Sequence, residues 1–232
     1  MGNARWFWIG AVGLLAWAVY WGVGQAVNPS GGEAEFQKTL GAIRQVKSFR
    51  GAYVDTASPQ HSERLWELDC NRIVLHQQSH ASQTSADSPF EMSSEELLVG
   101  DQIFIHHKDG SWEKASTVTR LYTAKWYCDN LVQGSVRDLL PDFNNLTRHA
   151  MIQKGDKKSV NGVQCRVWNY GIRSTTAGTQ SGSVCIGLDD HLPYEMITDK
   201  GGRYSYSDYN RPIEFDAPDG VLPPESSAEG SS

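Results

Sequence analysis

The chain has 232 residues, 39% of them hydrophobic, with 21 basic and 27 acidic side chains and a net charge of −6. Nucleic acid is excluded as a partner class, because phosphate binding needs a basic surface, and the same acidity disfavours anionic lipid headgroups. The charge is unevenly placed: residues 6–32 carry none, and residues 33–232, without Arg5, hold 20 basic against 27 acidic residues and stand at −7.

Residues 6–23 form a nearly unbroken apolar run. As a helix it reaches roughly 27 Å at about 1.5 Å per residue, against a hydrocarbon core of about 30 Å. Trp6, Phe7 and Trp8 at one end and Tyr20 and Trp21 at the other match the aromatic belts of a single transmembrane anchor. Gly24-Gln25-Ala26 suits a signal cleavage site instead. Residues 1–28 therefore read as an anchor or a signal segment, with bulky Trp17, Tyr20 and Trp21 on the side of the anchor. Arg5 is the only basic side chain ahead of the run. The positive-inside rule then keeps the N-terminus in the cytoplasm of a bacterial inner membrane. The rest is exported to the periplasm, or secreted if the signal is cut. The absence of any Cys before Cys70 excludes lipid attachment at a cysteine after a signal. Residues 29–32, Pro29-Ser30-Gly31-Gly32, read as a flexible linker.

Residues 33–217 read as one exported domain. Residues 33–47 predict a helix, with Phe36, Leu40, Ile43 and Val46 on one stripe and Glu33 and Glu35 at the end that suits the helix dipole. Strands follow. Residues 49–55 are the first. Residues 63–70 alternate, with Trp66, Leu68 and Cys70 on one side and Glu67 and Asp69 on the other, and residues 73–76 continue or pair with them. Residues 79–88 read as a polar loop. Residues 97–107 predict a strand, Asp109-Gly110 a hairpin turn, and residues 112–122 the return.

Residues 130–145 predict a second helix from the spacing of Val132, Val136, Leu139, Leu140 and Phe143, with Pro141 marking its end. Asn161-Gly162 is a tight turn before a strand over residues 163–172. Residues 174–182 read as a small-residue loop, after which Val184, Ile186 and Leu188 alternate. Residues 194–198 and 204–209 predict a hairpin, and residues 213–215 a last short strand. Residues 218–232 are rich in Pro, Ser, Gly and acid and predict a disordered tail.

One helix, a run of hairpin-linked strands, a second helix and more strands argue an α+β fold. The expected architecture is a curved antiparallel half-barrel sheet lidded by short helices, preceded by one N-terminal transmembrane helix. Four cysteines in an exported domain suggest two disulfides. Sequence order favours Cys70 with Cys128 and Cys165 with Cys185. Direct pairing of Cys165 opposite Cys185 would set Val184 and Ile186 on the face of Gln164 and Arg166, a mixture that period-2 logic disfavours.

Three passages carry a family resemblance. Val46-Lys47-Ser48-Phe49-Arg50-Gly51 leads from helix to strand. Gly100-Asp101-Gln102-Ile103-Phe104-Ile105 precedes Asp109-Gly110-Ser111-Trp112. Tyr206-Ser207-Asp208-Tyr209-Asn210-Arg211-Pro212-Ile213-Glu214-Phe215 closes with Ala217-Pro218. The layout resembles the LolA-like lipoprotein carriers and the LppX/LprG-like lipid carriers. The resemblance implies an unclosed half-barrel whose apolar cavity accepts acyl chains, and hence a lipid or acylated ligand.

The candidate ligand-cavity residues are Trp66, Leu68, Ile103, Ile105, Val136, Leu139, Leu140, Trp168, Val184 and Ile186. By periodicity alone these are core residues; the resemblance supplies the cavity reading. No metal site is expected, since adjacent His106 and His107 point to opposite faces of a strand and no His-Glu-x-x-His motif exists. Asp189-Asp190-His191 reads as a solvated turn. No nucleophile elbow or phosphate-cradling loop is present, so no cofactor and no enzyme activity are implied. Two functions remain open. One is a membrane-tethered carrier or sensor of a lipid or acylated ligand; the other is an envelope-stress-sensing or protein-interaction module on the same scaffold, with an envelope protein as partner.

Overall fold

The computed structural model describes residues 31–55, 60–83, 90–115, 122–134, 136, 139–174 and 178–221. The expected anchor or signal over residues 1–28, the first half of the linker and residues 222–232 of the tail lie outside the described residues. Among the described residues no helix is long and apolar enough to cross a membrane.

Helix α1 (Gly32–Ile43) forms on the predicted stripe, with Glu33 and Glu35 in its first turn and Phe36, Thr39, Leu40 and Ile43 buried, but it ends at Ile43 rather than residue 47, and Val46 follows in a turn. It leads into β1 (Ser48–Asp55), β2 (Gln60–Asp69) and β3 (Val74–Gln83), then β4 (Phe90–Val99), β5 (Gln102–His106) and β6 (Trp112–Lys114). Helices α2 (Ala124–Gln133) and α3 (Phe143–His149) interrupt the strands. The chain then returns through β7 (Ala150–Val160), β8 (Val163–Ser174), β9 (Gly178–Gly187), β10 (Pro193–Thr198) and β11 (Gly202–Ser207). All eleven strands join one antiparallel sheet in the order β6-β5-β4-β3-β2-β1-β11-β10-β9-β8-β7.

The sheet is open and curved, and its concave face carries the main core. Phe49, Leu68, Leu75, Leu98 and Ile103 sit directly opposite one another across β1 to β5. All five are buried in one cluster with Phe36, Leu40 and Ile43 of α1 and Tyr127, Leu131 and Phe143 of the other helices. Helices α1 and α3 meet through an edge-to-face contact between Phe36 and Phe143 at 5.4 Å. A smaller core lies on the convex face. There Val74, Leu97 and Phe104 are covered by Phe215, Ala217 and Val221.

Several local expectations are corrected. Residues 79–83 belong to β3 rather than a loop. They pair with both β2 and β4 at a part of the sheet where both faces are solvated, so no hydrophobic alternation marks them. The single strand over 97–107 is two strands, β4 and β5, reversing at Gly100 and Asp101. The return strand is described only as far as Lys114. The helix expected over 130–145 is α2 and α3 separated by a bend. Thr123 caps α2 by accepting from the Trp126 N–H at 3.2 Å, and Gly134 ends it in the left-handed conformation with φ of 78°. A Cβ at Gly134 would also lie 2.1 Å from the end of the Leu40 side chain of α1, so a larger residue here strains the backbone and must displace Leu40. Helix α2 buries Tyr127, Cys128 and Leu131 and leaves Val132 exposed. Residues 174 and 178–182 are strand, not loop. Residues 213–215 make no ladder, and with Ala217 and Val221 they strap the convex face instead. Arg72 holds this strap: it binds Asp69 at 2.8 Å, donates to the Ile213 carbonyl and lies over the Phe215 ring.

Both disulfides form as sequence order favours, Cys70 with Cys128 and Cys165 with Cys185. The second is diagonal: Cys165 stands opposite Gly187, and Cys185 opposite Val167. Trp168 faces Val184 directly, which gives that face its apolar match. The first bond closes 58 residues and ties β2 to α2, while the second closes 20 within a hairpin. Chain entropy assigns about 4 kcal/mol to the longer loop and about 3 kcal/mol to the shorter. Urea unfolding of Cys70→Ser/Cys128→Ser and Cys165→Ser/Cys185→Ser should therefore show the first pair losing roughly 1 kcal/mol more stability.

Candidate functional site

Two clefts open between the concave face and the helical cover. The first, about 360 Å³, lies between β2–β4 and α2. Trp66, Tyr122, Tyr127 and Leu139 give it an apolar side, and Arg64, Gln77, Ser79, Ser94 and Glu96 a polar one. Strand alternation explains the polar side. Arg64 shares the face of Trp66 two residues on, and Gln77 and Glu96 stand in register with Trp66 across β3 and β4. The second cleft, about 350 Å³, lies under α3 and is lined by Tyr53, Tyr170, Ile172, Met196 and Tyr204 with Asp142 and Lys200 at its polar edge.

An aromatic row joins the two. Tyr204 lies 4.6 Å from Tyr53 and 6.4 Å from Trp66, and Trp66 lies 6.3 Å from Tyr206. Gly51 makes this packing feasible. It stands between Trp66 on β2 and Tyr206 on β11, and the Trp66 indole occupies the space where a Gly51 Cβ would be, 2.3 Å away.

The interior also holds polar atoms in an apolar setting. Thr39 Oγ1, Trp66 Nε1, Trp168 Nε1 and Tyr206 Oη are buried without a hydrogen-bond partner. Burial pushes the Tyr206 phenol pKa well up and keeps it a neutral donor. Such groups each cost about 1–3 kcal/mol when left unpaired, and they concentrate on the side of the sheet that carries both clefts.

Nine of the ten candidate cavity residues come together in the concave-face core: Trp66, Leu68, Ile103, Val136, Leu139, Leu140, Trp168, Val184 and Ile186. Of these, Trp66 and Leu139 line the first cleft. The other seven pack against one another and line neither. Ile105 is not brought to the cluster. It shares the face of Ile103 by alternation but lies one pleat beyond the helical cover, 37% exposed and opposite Glu96. Sequence reasoning missed Arg64, Gln77, Ser79, Ser94, Glu96, Tyr122 and Tyr127, although Arg64 was findable from its spacing to Trp66.

His107 pairs with Glu113 at 2.9 Å and His61 with Glu63 at 2.9 Å. The turn at Asp189-Asp190-His191 is structural. Asp190 accepts from the Leu192 N–H and the Tyr194 hydroxyl, and His191 Nδ1 bonds Glu35 of α1 at 2.7 Å.

No protein-family model matches the sequence, and no curated protein matches it significantly. Solved structures do. The lipoprotein LppX of Mycobacterium tuberculosis superposes with a TM-score of 0.52 at 16% identity, over 79% of this chain and 97% of that one. LprF from Mycobacterium bovis superposes with a TM-score of 0.59 at 11% identity, over 82% of this chain and 98% of that one. The chain thus shares the fold of LppX and LprF, as the resemblance to the LppX-type carriers implies.

Because the aromatic row depends on a bare backbone at residue 51, Gly51→Ala should overpack the site and cost about 1–3 kcal/mol. Thermal melting should show a Tm several degrees below the parent. Combining it with Trp66→Leu should cost less than the sum of the two single changes, because the two positions are in contact.

Proposed function

We propose that this chain is an extracytoplasmic binding domain, tethered by the apolar run at residues 6–23, that holds one small lipid or acylated ligand in the first cleft. The division of that cleft carries the reading: its apolar side, Trp66, Tyr127 and Leu139, faces a polar side, Arg64, Gln77, Ser94 and Glu96. Such a split accepts an amphiphile, with its chain against the aromatic wall and its head on the polar side chains. Ligand sites are commonly about 300–1,000 Å³. A volume of about 360 Å³ suits a single short chain better than a multiply acylated lipid. Some six buried methylenes would contribute about 5 kcal/mol, enough for reversible binding. The mechanism is burial and release, without a covalent step. Two disulfides fit an oxidising compartment, and the fold shared with the lipoprotein LppX and with LprF supports a carrier or sensor role.

The test is native mass spectrometry of the full chain purified from bacterial membranes, with titration by a dansylated undecanoic acid. The wild type should carry or take up one amphiphile. Ser94→Trp, which fills the cleft from an exposed position, should weaken uptake about tenfold or more, equivalent to about 1.4 kcal/mol, with circular dichroism unchanged. Equal uptake by the two proteins, or a stoichiometric crosslinked protein partner with no amphiphile, would overturn the proposal.

A further inference from the structure

The convex face carries a chain of charged side chains that the cleft does not use. Asp208 Oδ2 binds Arg50 Nη1 at 3.2 Å, and Arg50 Nε binds Glu67 Oε1 at 2.6 Å. Glu67 Oε2 meets His76 Nδ1 at 3.2 Å, and His76 Nε2 meets Glu95 Oε1 at 2.8 Å. Glu95 Oε2 then meets His106 Nδ1 at 2.6 Å, and the His106 ring stacks on Trp112 with centroids 4.5 Å apart. Gln78 donates to Glu95 at 2.9 Å, and Asp216 of the C-terminal strap adds a negative charge near His106. The chain runs from β11's end across β1, β2, β3, β4 and β5 to β6.

His76 is its centre and is buried. A neutral imidazole has one N–H donor, and its second nitrogen is an acceptor. His76 has a carboxylate at each nitrogen, so both bonds exist only in the imidazolium. With both histidines charged, the six ionised groups from Asp208 to His106 alternate in sign and cancel. With both neutral, Glu67 and Glu95 lose their cationic neighbours on β3 and β5.

The same strands floor the first cleft. Glu67 follows Trp66, His76 precedes Gln77, and Glu95 precedes Glu96. Glu67, His76 and Glu95 are thus each the immediate neighbour of a cleft-lining residue on the concave side.

We infer that the protonated His76–Glu95–His106 clamp fixes the spacing of β2, β3 and β4 beneath the first cleft, and that loss of its protons loosens that floor. Its relevance to a ligand rests on the binding role proposed above; the clamp itself does not. Burial pushes the His76 pKa down, but its hydrogen bonds to Glu67 and Glu95 outweigh this and leave it raised. The bond to Glu95 raises that of His106. Burial pushes Glu95 up, yet bonds from His106, Gln78 and His76 hold it at about 2, so the carboxylate stays charged. For a raised histidine pKa, the stabilisation is complete below the ordinary value of about 6.5. It is lost as pH climbs through the raised value. The cleft floor is firm in acid and loosens on the alkaline side.

Hydrogen–deuterium exchange of the full chain, corrected for intrinsic rates, reads this without any ligand. Between about pH 6 and about pH 8.5, opening of β3 and β4 should rise about tenfold or more, the scale of one hydrogen bond between charged partners. The β8–β9 hairpin, crosslinked by Cys165 and Cys185, should not respond. In His76→Gln the response of β3 and β4 should vanish. Unchanged exchange in the wild type, or a response that survives in both His76→Gln and His106→Gln, would overturn the inference. Imidazole ¹⁵N NMR gives a second readout should the variants misfold. His76 should carry a proton on both nitrogens at about pH 7, and a neutral single tautomer would overturn the inference. A cleft that binds no amphiphile at any pH would leave these readouts unmoved.

Discussion

The row of side chains formed by Phe49, Leu68, Leu75, Leu98 and Ile103 is the feature on which the remaining structure depends. These residues stand opposite one another on five adjacent strands, so one face of half the sheet is continuously apolar and must be covered. A sheet that is open cannot cover itself as a closed barrel does. The cover comes from three short helices, each with one buried stripe. They do not cover the whole face: a cleft stays open beside α2 and another under α3. The centre is therefore solidly packed, and the flanks, where the cover ends, remain as clefts.

That geometry accounts for the character of the clefts. Toward the ends of β2, β3 and β4 the concave face changes from Leu68, Leu75 and Leu98 to Trp66, Gln77 and Glu96, then to Arg64, Ser79 and Ser94. Apolar character falls off along the strands as burial does. The first cleft sits on this gradient, which is why one side is aromatic and the other polar. A uniformly greasy cavity would need the apolar row to extend two pleats further, and the sequence does not extend it.

The curved antiparallel sheet with few helices, most of the helix expected over residues 33–47, the hairpin at Asn161-Gly162 and both disulfides were legible because each has a local signature: a 3.6-residue stripe, a turn dipeptide, paired cysteines in an exported domain. The first and last of the three passages meet in the fold, where Asn210 and Arg211 bind Lys47 and Ser48. What was not legible has one physical cause. Period-2 logic detects a strand only where one face is buried, so the solvated end of β3, with His80, Ala81, Ser82 and Gln83, reads as loop. The same blindness hid most of the candidate site, whose polar lining comes from these half-exposed pleats. Ile105 erred in the opposite sense: its face was right, but its distance along the strand placed it beyond the cover, and alternation carries no information about that.

The two sides of the sheet are less independent than their chemistry suggests. A β-strand sends adjacent residues to opposite faces, so any force on a convex side chain acts on the backbone that also positions its concave neighbour. In most sheets this coupling is weak because the exposed face carries isolated polar groups. Here β2, β3 and β4 are tied on the convex side by Glu67, His76 and Glu95, with His76 bonded on both flanks. The β2–α2 disulfide at Cys70 and Cys128 restrains the far end of the same cleft. Between a covalent tie at one end and an ionic tie beneath the floor, the freedom of the first cleft reduces to the part that depends on two imidazole protons. The second cleft lies over strands whose convex ion pairs, Lys158 and Arg203 with Glu195, involve no histidine. A change of pH near neutrality therefore acts on one side of the aromatic row and spares the other.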